Sequence, residues 1–151
     1  MIPLLDDKVL SHIGKSEPPQ KELATRRDIR KYSVATGQRL RKFLDGDEAP
    51  PLFHIALFWD IVPLDELLPD GLSVDPLLPE FPLKRAMAGG WNIQYHRPIY
   101  PGDELVAKRT LSNIFEKSGS KGPLIFYEIT RDIQTAAGEP VLTEKMTRIL
   151  R

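Results

Sequence analysis

No cysteine is present to act as a nucleophile, so the residues able to carry a proton near neutral pH are three histidines and the carboxylates around them. His54 stands in an apolar run with Phe53, Ile55 and Phe58, and Asp60, six residues on, is a carboxylate that could orient it. Such a pair is the smallest unit of general acid–base catalysis, although a spacing of six is poor for one helical face. The alternative for His54 is an interior histidine with its hydrogen bonds satisfied. His96, beside Arg97 and Pro98, reads as a residue of a solvated sheet face, and His12 lies in the N-terminal tail. The histidines are scattered, with no carboxylate at ligand spacing, so no metal site is expected.

Binding chemistry concentrates in Lys84 to Leu105, KRAMAGGWNIQYHRPIYPGDEL. Gly89 and Gly90 permit close backbone approach, either as a simple bend or as a place where an N–H near Gly90 or Trp91 meets a ligand oxygen. Lys84 and Arg85 just before them, and Lys117 and Lys121 in a Gly/Ser loop, are cations of the kind that hold phosphates. Gly119, Ser120 and Gly122 make no phosphate-binding loop of the nucleotide-hydrolase kind. Asp103, after Pro101-Gly102, is placed to accept from nearby backbone amides. Glu144 and Arg148 share one strand face with Leu142, Met146 and Leu150, which suggests an ion pair at an interface rim.

These residues need a scaffold, and 151 residues suffice for one domain with its own core. Lys plus Arg (21) balance Asp plus Glu (21), so no overall field draws the chain to nucleic acid or an anionic membrane. The opening MIPLLDDKVL lacks the basic and long apolar regions of a signal peptide, and no later run approaches the roughly 20 apolar residues that span a bilayer. A cytoplasmic protein is the expectation.

Residues 1–21 read as an N-terminal extension. Thr25 caps a short amphipathic helix with Asp28 as its capping-box partner, Ile29 and Tyr32 on the buried face and Gly37 as the stop. Phe53 to Val62 reads as about ten residues of buried helix, with a buried strand as the competing assignment. Prolines 69, 76, 79 and 82 make Leu67 to Pro82 an ordered excursion or a mobile loop, long enough for a lid or a dimer contact. Alternation then predicts a strand after Gly89-Gly90, with Trp91, Ile93 and Tyr95 on one face. Further strands follow from Glu104 to Ile114, Leu124 to Gln134 (Ile125, Tyr127, Ile129 and Ile133 in register) and Val141 to Leu150. The result is an α+β arrangement, an antiparallel meander wrapped round the Phe53 helix.

Three stretches, TRRDIRKYSVATGQ, RAMAGGWNIQYHRPIYPGDEL and KSGSKGPLIFYEI with GEPVLTEKMTRILR, together resemble the hot-dog fold of MaoC-like hydratases and dehydratases. More closely they resemble the N-terminal domain of FAS1-like dehydratases and of mesaconyl-C4-CoA or itaconyl-CoA hydratases, over about residues 22–151. The resemblance implies two such units paired into a continuous double sheet, an acyl-CoA or acyl-carrier thioester along their interface, and no cofactor beyond the coenzyme A carrying the substrate. It implies reversible addition of water across an α,β-unsaturated thioester. The family places an Asp and a His in a G-D-x-N-P-x-H loop just after the first helix, with a backbone N–H polarising the thioester carbonyl.

The chain departs from that pattern at the point that matters most. After Gly37 it reads Gln38-Arg39-Leu40-Arg41-Lys42-Phe43, and Gln cannot take a proton at any relevant pH. Three readings follow. One is a non-catalytic half that shapes the acyl pocket for a catalytic MaoC-like subunit. Another is a self-sufficient homodimeric hydratase or thioesterase built round His54 and Asp60. The third is a module that binds acyl-CoA without chemistry.

Overall fold

The period-two alternation of the C-terminal half folds into long antiparallel strands in the computed structural model, which describes residues 3–151. Met1 and Ile2 of the expected extension lie outside the described residues. The strands are β1 (Gln20–Leu23), β2 (Ala86–Tyr95), β3 (Glu104–Gly119), β4 (Gly122–Thr135) and β5 (Pro140–Leu150), in the sheet order β1-β3-β4-β5-β2. Gln20 and Lys21, assigned by sequence to the extension, pair with Ala107 and Val106.

Two strand expectations are corrected. β3, β4 and β5 do form the meander, but β2 crosses to the far side of β5 instead of pairing with its successor β3. The Gly/Ser/Lys loop is mostly strand: β3 and β4 run on to the pair Gly119 and Gly122, leaving Ser120 and Lys121 as the turn. Both corrections arise from pairing, which local alternation does not encode.

The helices are short: α1 (Asp7–Leu10), α2 (Arg26–Ala35), α3 (Arg41–Leu44) and α4 (Phe53–Leu57). For α2 the sequence was a good guide, because Thr25 Oγ1 accepts the Asp28 N–H at 3.1 Å, Ile29 is buried, and Gly37 takes a positive φ of 71°. α4 has half the expected length. Pro63 forces its predecessor extended, and Ile61, at 97% exposure, is not a core residue. Pro50-Pro51 and Leu52, whose φ of 70° is costly for a side-chain-bearing residue, set the sharp entry into α4. Tyr95 Oη accepts the Leu52 N–H at 3.0 Å and holds that turn to β2.

The inner face of the sheet carries two apolar cores. Phe53, Phe58, Leu105, Ile133 and Leu142 belong to the first; Leu77, Phe81, Leu111, Ile125 and Ile129 belong to the second. The Pro-rich segment thus lies against the sheet, anchored by Leu77 and Phe81. Phe81 stacks on Tyr127 with centroids 5.5 Å apart. Among the described residues no helix is long and apolar enough to cross a membrane.

Candidate functional site

Between the two cores runs a polar belt, one residue deep, that the strand registers explain. On β3 the inward sequence is Ala107, Arg109, Leu111; on β4 it is Ile133, Arg131, Ile129; on β5 it is Leu142, Glu144, Met146. Arg109 faces Arg131, and Arg131 faces Glu144, as direct cross-strand neighbours. Charges placed this deep must find partners, and three of the belt's contacts are tight.

The first is between His54 and Glu144. α4 points the His54 ring down at β5, where His54 Nε2 lies 2.6 Å from Glu144 Oε2, with the two residues 1% and 4% exposed. The carboxylate that orients His54 is therefore Glu144, 90 positions away in sequence. Asp60 instead accepts from Ser73 Oγ at 3.1 Å on the exposed loop. Glu144, expected at an interface rim, is interior because β5 is covered on this face by α4. His54 Nδ1 is buried with no hydrogen-bond partner among the described residues.

The other two tight contacts belong to Arg109, which is bound by Glu17 at 3.0 Å and by Asp75 at 2.5 Å. Burial works against its charge, but the hydrogen bond and field of Asp75, helped by Glu17, hold the guanidinium above its ordinary value. Arg131 differs. Glu144 Oε1 at 4.0 Å is its nearest described carboxylate, and burial holds its guanidinium below the ordinary value despite that neighbour.

Two cavities open on this belt. One, of about 410 Å³, is lined by Pro50 to His54, by Tyr95 to Ile99 and by Lys42, Phe43 and Glu48. The other, of about 500 Å³, lies between the sheet and the segment 55–83, with Arg109, Arg131, Glu144 and Arg148 on its wall. His54 lines the first and Glu144 the second, so the pair forms part of the partition between them.

The expected binding residues fall at one end of the sheet. Lys117 pairs in register with Leu124, Ile125 pairs with Leu150, and Leu150 pairs with Ala86, which places Lys84, Arg85, Lys117 and Lys121 at the same end. Lys84 meets Glu80 at 3.3 Å in the open, Arg85 exchanges backbone hydrogen bonds with Arg151, and Lys117 covers the Phe115 and Phe126 rings.

Gly89 and Gly90 form a bulge in β2, and each is glycine for its own reason. A Cβ on Gly89 would stand 3.0 Å from the Thr147 carbonyl oxygen, while Gly90 has a φ of 144°, which side-chain-bearing residues avoid. Trp91 next to them is half exposed beneath the Arg148 guanidinium, 5.9 Å from its ring. His96 is exposed, with Thr143 Oγ1 at 3.5 Å, and Asp103 accepts the Tyr100 N–H at 2.8 Å as the turn reading expects.

The stretch 38–43 after α2, where the resemblance would place an Asp and a His, contains neither. It is closed by surface ion pairs, Arg41 with Asp45 and Lys42 with Glu48.

Comparison with known proteins identifies the family and the fold. Residues 11–144 match the family described as the FAS1-like, dehydratase domain region. Mesaconyl-C(4)-CoA hydratase of Chloroflexus aurantiacus is 33% identical over 81 residues, 53% of this chain and 29% of that protein. The match thus spans less than a third of that relative's length. Among solved structures, the Mycobacterium tuberculosis ChsH1-ChsH2 complex superposes with a TM-score of 0.68 at 16% identity, covering 95% of this chain and 86% of that one. The C-terminally truncated HadBC complex, a (3R)-hydroxyacyl-ACP dehydratase of the same organism, gives 0.63 at 18% identity, covering 91% and 96%. At such identities these structural likenesses establish the fold.

Proposed function

The chain belongs to the FAS1-like dehydratase region family, with the hot-dog fold of MaoC-like hydratases and dehydratases, and from that premise we propose that it is the acyl-pocket half of a hydro-lyase. Its substrates are enoyl and 3-hydroxyacyl thioesters, and a second hot-dog subunit supplies the Asp and His that move protons. In the hydration direction the base takes a proton from water, the oxygen bonds to the β-carbon, and the α-carbon receives a proton.

The observation that carries this reading is the segment after α2. It offers Gln38, Arg39, Arg41 and Lys42 where a base is needed, and its carboxylates Asp45, Asp47 and Glu48 are engaged by Arg41, Arg26 and Lys42 respectively. The His–carboxylate pair nearest to a substitute, His54 with Glu144, is almost fully buried, with its two members lining different cavities. Two of the similar structures are named as complexes, HadBC and ChsH1-ChsH2, which supports a paired assembly.

This chain's own contribution would be binding. The four cations at one end of the sheet suit the phosphates of coenzyme A, and the bulge at Gly89-Gly90 brings an N–H of β2 within reach of a thioester oxygen. Trp91 at the mouth of the larger cavity gives the acyl chain an apolar edge.

Catalysis by the chain alone, as a homodimeric hydratase or thioesterase, is favoured by one observation: His54 lines the smaller cavity, carries an unbonded Nδ1 and is oriented by a carboxylate. A module that binds acyl-CoA without chemistry would instead gain thermal stability from the ligand with neither turnover nor partner.

Native mass measured on the protein purified from its own cells separates these readings. The half-site reading expects a stoichiometric companion of similar size whose sequence contains Gly-Asp-x-Asn-Pro-x-His. A homodimer that hydrates enoyl-CoA and loses that activity in His54→Ala overturns it.

A further inference from the structure

Charge is unevenly placed on a chain that is balanced overall. Residues 26–42 carry seven cations and one carboxylate, whereas residues 59–83 carry six carboxylates and no cation. In the first stretch Arg26 is bound by Asp47, Arg41 by Asp45 and Lys42 by Glu48. Arg27, Arg30, Lys31 and Arg39 are exposed, with no carboxylate at ion-pair distance among the described residues. The first three stand on α2 with Val34 at i, i+3, i+4 and i+7, which makes one exposed stripe of the helix.

This stripe breaks two local rules. Arg27 and Lys31 are like charges four apart and repel, and cations near the start of a helix meet the positive end of its dipole. Anions brought to the stripe would relieve both costs. Val34 and Leu40 add exposed apolar surface beside the cations.

The complementary surface is on the same chain. Asp75 is taken by Arg109 and Glu80 by Lys84, whereas Asp65, Glu66 and Asp70 are exposed and have no cation at ion-pair distance among the described residues. Ile61, Leu64 and Leu72 are exposed around them. Among the described residues no ion pair joins the two surfaces, because α2 packs on α3 and α4 while the acidic segment is anchored on the second core by Leu77 and Phe81.

We propose that these surfaces meet between two copies of this chain, the acidic segment of one copy against the cationic stripe of the other, repeated about a two-fold axis. A single exposed ion pair is worth little in water, but several acting together beside apolar residues that exclude solvent fix the partner and its orientation. Neither surface includes β2, whose edge is left for a companion subunit.

The test is native mass by sedimentation velocity, on the protein with any companion it retains, at about 50 mM and about 500 mM salt. The proposal expects a particle holding two copies of this chain at low salt, with the doubled fraction falling at high salt. Arg27→Glu combined with Lys31→Glu should halve the mass at low salt, and so should Asp65→Lys combined with Glu66→Lys. Mixing these two double variants should restore the doubled particle, since every face then meets one of opposite charge. That recovery also shows that both variants are folded. One copy per particle in the unaltered protein at low salt overturns the proposal, as does a doubled mass that survives either charge reversal. Halving in both variants without recovery on mixing overturns it too, because the two surfaces would then face some other partner.

Discussion

His54 and Glu144 hold each other in an interior where neither would be tolerated alone. Their 2.6 Å contact ties α4 to β5, and removing either partner leaves the other as a buried polar group without its bond. His54→Ala should therefore lower unfolding free energy by about 3 kcal/mol or more in urea denaturation. An equilibrium loss below about 1 kcal/mol would mean that the pair is not the tie described. Tyr127 gives a second test. Burial, outweighing the opposing field of Arg148, raises its phenol pKa, so the folded state holds that proton more tightly than the unfolded chain does. The stabilisation is complete below the unfolded value, about pH 10, and is lost as pH rises through the higher folded value. Stability of the unaltered protein should thus fall above pH 10, and Tyr127→Phe should flatten that fall. At this scale the sequence was partly readable. His54 stood out by its apolar setting, but Glu144 reaches it across 90 positions, and no local pattern records such a contact. Arg131 could have been found. It occupies the one charged place in the inward register Ile125, Tyr127, Ile129, Arg131, Ile133, and a charge on a buried face needs an explanation.

The elements divide into those fixed by local chemistry and those fixed by what they pack against. α2 has its cap and its stop written in Thr25, Asp28 and Gly37, and β4, β5 and the start of β3 are read from alternation within two residues, whereas β3 runs on to Gly119 through the expected loop. α4 was not readable to its true length, because Ile61 and Val62 continue its apolar run for a reason other than the core. The segment from Trp59 to Phe81 splits in two on the same ground. Leu77, fully buried, anchors it, whereas Ile61, Leu64 and Val74 are well exposed. Leu77→Ala should cost about 2–5 kcal/mol of stability. Ile61→Ser should cost under about 0.5 kcal/mol while weakening association with a second subunit. Equal destabilisation by both variants would refute this division into anchor and contact surface.

At the scale of the molecule, β2 is the end strand of the sheet. Its free edge lies beside exposed Trp91 and Tyr95, and Trp59, Ile61, Leu64 and Val74 add apolar surface on the segment after α4. An open edge joined to so much exposed apolar surface is what a chain presents when part of its burial is completed by another chain. The α+β class and the wrapped sheet were legible from the order of helices and strands. The crossover that puts β2 at the edge was not, since alternation gives the faces of a strand and not its neighbours. The polar belt also appears only at this scale, because it needs the registers of three strands at once. The account as a whole holds that this chain binds the thioester and that another chain supplies the base. The most direct test is the rate of enoyl-CoA hydration by the chain alone and by the same chain assembled with the companion it carries in its own cells. The account predicts binding without turnover for the chain alone and turnover on assembly that survives His54→Gln; hydration by the chain alone that His54→Gln abolishes would contradict it.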